Sequence, residues 1–382
     1  MIRSLVRGRF TGWLSQAWPR SARLRSARSW PRFAYGSLTR GVDAWREKWD
    51  HSPGWRVLLY ARKDFSGSFY KWAAAINEFT PFAARLVTFC RHPYGYTLDL
   101  LYSLPHDSNG GLESLAREAD LLHVKDEEFL LTGAHRLPQE LFPQLDRPRV
   151  FTHYGGYARK FKADPRYIEH VSRRFAGRVS MTPDLCFPWF EGSYIPHSID
   201  LREFPCTWND GIRVAHSPST ARRKGTVNFM RAVGGVAEEL GIELDLIEGV
   251  SHQECLARKS RCNLFFDQAG RESYWSLGIR DVIGWYGNSA LEAAAHGIPT
   301  MAHLSSEAFA GATRAGMDLA ETCGILPIPR DVPGMQTALR DYFHLGAAER
   351  LGLSQRTRNW VEAFHGQEAV GSRLAAFYRT LL

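Results

Sequence analysis

The chain has 382 residues, 44% of them hydrophobic and 23% charged, the make-up of a globular protein long enough for two domains with large cores. No apolar run approaches the roughly 20 residues that a membrane-spanning helix needs. The six cysteines (Cys90, Cys186, Cys206, Cys255, Cys262 and Cys323) form no Cys-x-x-Cys pair, which argues against a zinc site or a disulfide framework and for a reducing cytoplasm.

The net charge of +8 is local. Residues 1–50 carry eleven Lys and Arg against three Asp and Glu, while the other 332 residues carry 37 of each sign. A neutral body therefore follows a basic arm. In the arm Ile2, Leu5, Val6, Phe10, Trp13 and Leu14 recur at helical spacing, with Arg3, Arg7 and Arg9 elsewhere around the wheel, until Pro19 ends the pattern. This suits an amphipathic helix lying on an anionic membrane, with residues 1–40 as the contact to its inner face. A disordered basic tail and an organelle transit peptide read from the same composition. Nucleic acid is not an expected partner, because the basic excess stops at the arm.

From residue 55 the pattern alternates. Strands are predicted at Arg56–Tyr60, Ala84–Cys90, Asp120–Val124, Arg149–His153, Arg178–Met181 and Tyr194–His197, and helices at Phe69–Phe79, Leu112–Glu118 and Tyr167–Phe175. After a Pro- and Trp-bearing linker around Leu201–Asp210 the alternation restarts. Ile212–His216, Ile242–Ile247 and Cys262–Asp267 read as strands. Thr226 is the expected N-cap of a helix with Val227, Met230, Val233, Ala237 and Leu240 on its buried face. His252–Lys259 is a further helix, and three more fill Gly334–Leu382. Strands apolar on both faces and alternating with helices predict an α/β fold of two Rossmann-like, doubly wound parallel sheets facing a cleft. Residues 55–203 form the first domain and 210–382 the second. Ligands of such sheets bind at the carboxyl ends of the strands.

The most telling stretch is Gly284-Trp-Tyr-Gly-Asn-Ser-Ala-Leu-Glu-Ala-Ala-Ala-His-Gly-Ile-Pro299. It reads as a glycine-bearing loop, a short helix capped by Ser289, a stop at Gly297 and a buried strand. A loop feeding a helix N-terminus gathers backbone N–H groups and the positive end of the helix dipole, a seat for phosphate. Glu292, one turn in, can accept two hydrogen bonds from vicinal hydroxyls such as those of a ribose. The same Ser289 and Glu292 also fit a capping box, in which the glutamate serves only its own helix. A second basic loop, Arg222-Arg223-Lys224-Gly225, follows the strand ending at His216. Its structural alternative is a solvated cluster.

Three segments resemble family 4 of the retaining GT-B glycosyltransferases, which use nucleotide-diphosphate sugars. They are His216-Ser-Pro-Ser with Arg223-Lys224-Gly225-Thr226, Gly284-Trp-Tyr-Gly through Glu292 to Pro299, and Tyr194-Ile-Pro-His-Ser-Ile-Asp200. The resemblance covers roughly residues 55–382 and is more specific in the second half. It implies that Lys224, with Arg222 or Arg223, stabilises the departing diphosphate, and that Gly287, Asn288 and Ser289 offer amides to a phosphate while Glu292 takes the ribose. It also implies that His153 acts near the anomeric carbon, against the alternative of a hydrogen-bonded structural histidine, while Gly67 suits a loop that lets backbone approach the diphosphate or the acceptor and equally an ordinary strand–helix turn. The chain departs from the family at the first of two glutamates spaced eight apart, where it has Gly284. No two aspartates lie two apart, so the strand-end Asp-x-Asp of metal-dependent enzymes is missing, and no metal or resident cofactor is expected. The expected activity is transfer of a sugar from a nucleotide-diphosphate donor to a glycan or lipid-linked acceptor. A nucleotide-sugar epimerase and a non-catalytic GT-B binding protein are the alternatives.

Overall fold

A computed structural model describes residues 39–90, 98–101, 111–125, 147–270 and 284–382. The arm before residue 39 lies outside the described residues, as do 91–96 and all but the last residue of 107–111, the two stretches that the sequence offers as rims for an acceptor, and Glu272 and Asp281, which it offers with Asp267 as neighbours able to compensate for Gly284. Residues 1–40 and 41–382 are separate units, and both sheets belong to the second.

The first half opens on helix α1 (Thr39–His51), then β1 (Arg56–Ala61), α2 (Ser68–Phe79), β2 (Ala83–Thr88), β3 (Leu100–Leu101), α3 (Gly111–Glu118), β4 (Leu121–Lys125) and β5 (Arg149–His153). It continues with α4 (Gly155–Phe161), α5 (Pro165–Arg174), β6 (Gly177–Ser180) and β7 (Ser193–Tyr194). The seven strands are parallel in the order β3-β2-β1-β4-β5-β6-β7. Alternate residues of β1 feed different cores. Val57, Leu59 and Ala61 pack with Trp72 and Ile76 of α2, whereas Leu58 and Tyr60 pack with Leu112 and Ala116 of α3. This is the two-residue period of a strand covered on both faces.

The second half runs β8 (Arg213–His216), α6 (Ala221–Lys224), α7 (Thr226–Leu240), β9 (Glu243–Leu246), α8 (His252–Lys259), β10 (Leu264–Gln268), α9 (Asn288–Ala295), β11 (Thr300–Ala302), α10 (Ser306–Arg314), β12 (Leu326–Pro327), α11 (Val332–His344), α12 (Ala347–His365) and α13 (Gln367–Arg379). Its five parallel strands are ordered β12-β11-β10-β8-β9. The α/β fold with two doubly wound parallel sheets is the predicted one.

Several local expectations change. The N-cap of α7 is Gly225, at φ 73, and Thr226 is buried inside the helix with its hydroxyl on His216. The buried face of α7 is Thr226, Phe229, Ala232, Val233 and Val236, while Val227 is exposed. The face is thus rotated from the expected one, because Phe229 stacks on Phe266 of β10 at 3.8 Å between ring centroids. The end of the basic arm belongs to the fold as well. In α1, Val42, Trp45 and Trp49 are buried, Trp49 Nε1 donates to Glu118 Oε2 at 2.8 Å, and Lys48 Nζ donates to the carbonyls that end α2.

The chain crosses between the halves twice. Ile199 pairs with Gly366 in an isolated parallel bridge, and α13 then returns to the first sheet. Val370, Leu374 and Tyr378 join the core of α2 and β1, and a Cβ on Gly371 would sit 2.7 Å from the Ala75 carbonyl oxygen. Tyr378 also meets Nδ1 of His123 in β4 at 2.7 Å. Elsewhere Phe187, Phe190 and Tyr194 pack with Trp285, Tyr286, Ala290 and Leu291 in one shared core.

Candidate functional site

In the second sheet β8 has β9 on one side and β10 on the other, so the order reverses there. The loops leaving such a switch point part and leave a crevice. The basic loop, the start of α8, the end of β10 and the start of α9 meet at it.

Glu292 is buried on the first turns of α9. The helix is capped by Gly287 in extended conformation, with Asn288 as its first residue. Ser289 is therefore not the cap, and the capping box does not form. Lys259 Nζ lies 2.6 Å from Glu292 Oε2, and His252 Nε2 lies 2.9 Å from Oε1. These are the last and first residues of α8. Lys259 Nζ also donates to Ser289 Oγ at 2.8 Å, and Ser289 Oγ lies 2.7 Å from Ser217 Oγ in the loop after β8. Burial raises the Glu292 pKa, but the Lys259 ammonium and then His252 outweigh it and hold the carboxyl well below the usual range. The group is a fixed anion.

Next to it lies a second pair. Lys224 Nζ is 2.6 Å from Asp267 Oδ1, and the Gly287 amide donates to Asp267 Oδ2 at 2.8 Å. A lysine and a helix-terminal amide are thus already aligned on an anionic oxygen pair. Gly287, Asn288 and Ser289 are half-exposed along the first turn of α9, and Arg222 and Arg223 are exposed on α6. His216, at the end of β8, has its Nδ1–H directed at the Phe266 carbonyl at 2.9 Å, so Nε2 accepts from Thr226 Oγ1 at 2.8 Å. Burial lowers its pKa to about 4, which keeps it neutral and structural.

The structure thus brings together Lys224, Gly287, Asn288, Ser289 and Glu292, with Arg222 and Arg223 on the adjoining turn. His153 and Gly67 stand at the carboxyl edge of the other sheet. Gly67, at φ 60, precedes α2 in the loop leaving β1. The His153 ring has no exposed surface. It is enclosed by Phe151, Tyr167, Phe187, Trp189 and Phe190, and its Nδ1 pairs with Tyr167 Oη at 3.0 Å. Burial lowers its pKa to about 3, with Arg178 adding to the effect.

Asp267, which the sequence offers as a neighbour able to compensate for Gly284, is engaged by Lys224 and the Gly287 amide, whereas Lys259 and His252 were not expected at this site, nor was a buried pair at the first sheet's own switch point. There Lys125 Nζ, at the end of β4, lies 2.9 Å from Asp64 Oδ1 and 4.3 Å above the Tyr154 ring. Asp64 also accepts the amides of Phe69 and Tyr70, so that carboxylate caps α2.

No family profile and no curated protein sequence matches the chain. Solved structures do. The fold is similar to Anabaena Alr3699/HepE in complex with UDP-glucose, with a TM-score of 0.57 and 11% identity over 85% of this chain and 100% of that one. It is similar to the N-terminal domain of Candida albicans trehalose-6-phosphate phosphatase, with a TM-score of 0.56 and 9% identity over 87% and 98%. An alpha-glucosyltransferase in complex with UDP gives 0.55 and 10% over 85% and 99%. At these identities the likeness establishes the fold, GT-B with two Rossmann-like halves.

Proposed function

We propose, with the GT-B fold as premise, that the protein transfers a sugar from a nucleotide-diphosphate donor to a glycan or lipid-linked acceptor, with retention of configuration and without a metal or resident cofactor. The observation that carries the reading is the buried Glu292, paired with Lys259, beside Lys224 and the first turn of α9, all at the switch point of the second sheet. A carboxylate suits a ribose diol, and a lysine with helix-terminal amides suits a diphosphate. Lys224 and Arg222 or Arg223 would stabilise the charge of the leaving diphosphate. The acceptor would be met from the first sheet, with Gly67 in the loop nearest the donor. His153 would reach a sugar only if Trp189 and Phe190 moved aside, and His153→Ala in the transfer assay tests its part.

The deciding experiment measures binding and hydrolysis of UDP-, GDP- and ADP-sugars by the wild type and by Glu292→Ala and Lys224→Ala, with product stereochemistry read by NMR. Loss of binding in both variants supports the donor site. Absence of binding by the wild type to all donors removes the reading. A second reading, a non-catalytic nucleotide-sugar binder, is favoured by one feature. A Cβ at position 284 would lie 2.0 Å from Ser305 Oγ, so a side chain at the position of the family's first glutamate would have to displace Ser305. Binding without turnover selects it.

No helix among the described residues is long and apolar enough to cross a membrane. A cytoplasmic protein that touches the inner membrane face through residues 1–40 remains part of the proposal, supported by the charge of that segment. Deleting residues 1–38, which spares α1, is expected to abolish sedimentation with phosphatidylserine vesicles and to leave soluble turnover intact. Equal sedimentation without the segment refutes the anchor.

A further inference from the structure

The Lys259–Glu292 pair is costly where it stands. Both side chains are buried, at 1% and 6% exposure, and desolvating two opposite charges is costly enough that packed apolar residues would often serve stability as well or better. In the first sheet the comparable Lys125–Asp64 pair has a structural explanation, because Asp64 takes two backbone amides of α2. Glu292 takes none among the described residues. Its partners are the side chains of Lys259 and His252.

We infer that Lys259 is the positioning residue of the donor site: it locks Oε2 of Glu292 and the hydroxyl of Ser289 in place, so that Oε1, which His252 Nε2 meets at 2.9 Å, is the oxygen whose remaining lone pair meets the nucleotide. This rests on the reading of Glu292 as the acceptor of ribose hydroxyls. Three geometric facts support it. Lys259 Nζ bridges positions 289 and 292, which share one face of α9. Through Ser289 it connects to Ser217, so one ammonium ties α8, α9 and the loop after β8 together. His252 is the more open member of the trio, its side chain 31% exposed, so a ligand approaches Oε1 from that side.

Among the described residues, the titratable groups that act on the Glu292 carboxylate include Lys259 and His252 from α8, Lys71 from α2 and His296 from the end of its own helix. Lys259 in turn faces Cys255 and Asp267. Without the Lys259 ammonium, burial acts on Glu292 with weaker opposition and favours the protonated acid, which has lost acceptor capacity.

The test compares the wild type with Lys259→Met, and with Lys259→Gln should the methionine variant fail to fold. The affinity for UDP, GDP and ADP is measured by calorimetry from pH 5.5 to 8.5, alongside the carboxyl carbon shift of Glu292 by NMR. In the variant the Glu292 carbon is expected to titrate at higher pH than in the wild type. The affinity deficit should be about tenfold at pH 5.5, shrinking as pH rises and the carboxyl ionises. Lys259→Arg should restore most of the binding. A deficit that does not change with pH, or an unshifted Glu292 titration, overturns the positioning role. If the wild type binds none of the three nucleotides, the proposed function fails, and the carbon titration still reports on the pair.

Discussion

A Cβ on Gly284 would lie 2.0 Å from Ser305 Oγ and 2.4 Å from Ser305 Cβ. Ser305 is held from two sides: its amide donates to the Gly284 carbonyl at 3.0 Å, and its hydroxyl caps α10 through the Ala308 amide. Gly284→Ala is therefore expected to destabilise the protein by about 1–3 kcal/mol through overpacking. Adding Ser305→Gly should recover most of that loss, since glycine is itself a tolerable cap. Denaturant unfolding of the two variants checks this, and simple additivity would contradict the steric explanation.

Lys224 and Asp267 separate stability from binding. Lys224→Met leaves a carboxylate of 1% side-chain exposure with the Gly287 amide but no cation. It should cost about 3 kcal/mol of stability and about tenfold or more in nucleotide affinity. In Lys224→Met/Asp267→Asn stability should return and binding should not. A double variant that binds like the wild type would show that Lys224 does not touch the ligand.

The stability of the fold should fall as the solution turns acid. Burial depresses the pKa of His123, His153 and His365 to about 3 and of His216 to about 4. The unfolded chain, near pKa 6.5, takes up these protons first. Their stabilising contribution is therefore complete above about pH 6.5. It is lost towards pH 4 and below, at about 1.4 kcal/mol per pH unit for each histidine. Unfolding free energies at pH 7.5, 6.0 and 5.0 should show this slope, and His216→Asn should lower it by about one proton.

His123 binds the first sheet to the returning helix. Its Nδ1 meets Tyr378 Oη, its Nε2 meets Thr152 Oγ1 at 2.6 Å, and both aromatic residues are fully buried. Tyr378→Phe leaves one buried ring nitrogen without a partner and is expected to cost about 1–3 kcal/mol, while Tyr378→Ala should cost about 3–5 kcal/mol. Thermal unfolding measures both, and a neutral Tyr378→Ala would mean that α13 does not support this core.

The alternation of strands and helices is legible in the chain's apolar pattern, because strands buried on both faces must be continuously apolar and the breaks between them fall at glycines and polar loops. The sequence by itself also marked Lys224, Gly287, Asn288, Ser289 and Glu292 as neighbours of one sheet edge, since these sit on loops that follow strands. Helix ends and faces were less legible. Gly225 and Gly287 outcompeted Thr226 and Ser289 as caps because the hydroxyls found tertiary partners in His216, Ser217 and Lys259. The partners of Glu292 could be known only from the fold. Lys259 is 33 residues away in the chain, and nothing in local spacing distinguishes it from a solvated lysine at a helix end. Tertiary structure alone decided that its ammonium would be buried against that carboxylate, because only the packing of α8 on α9 removes the water that would otherwise solvate both charges.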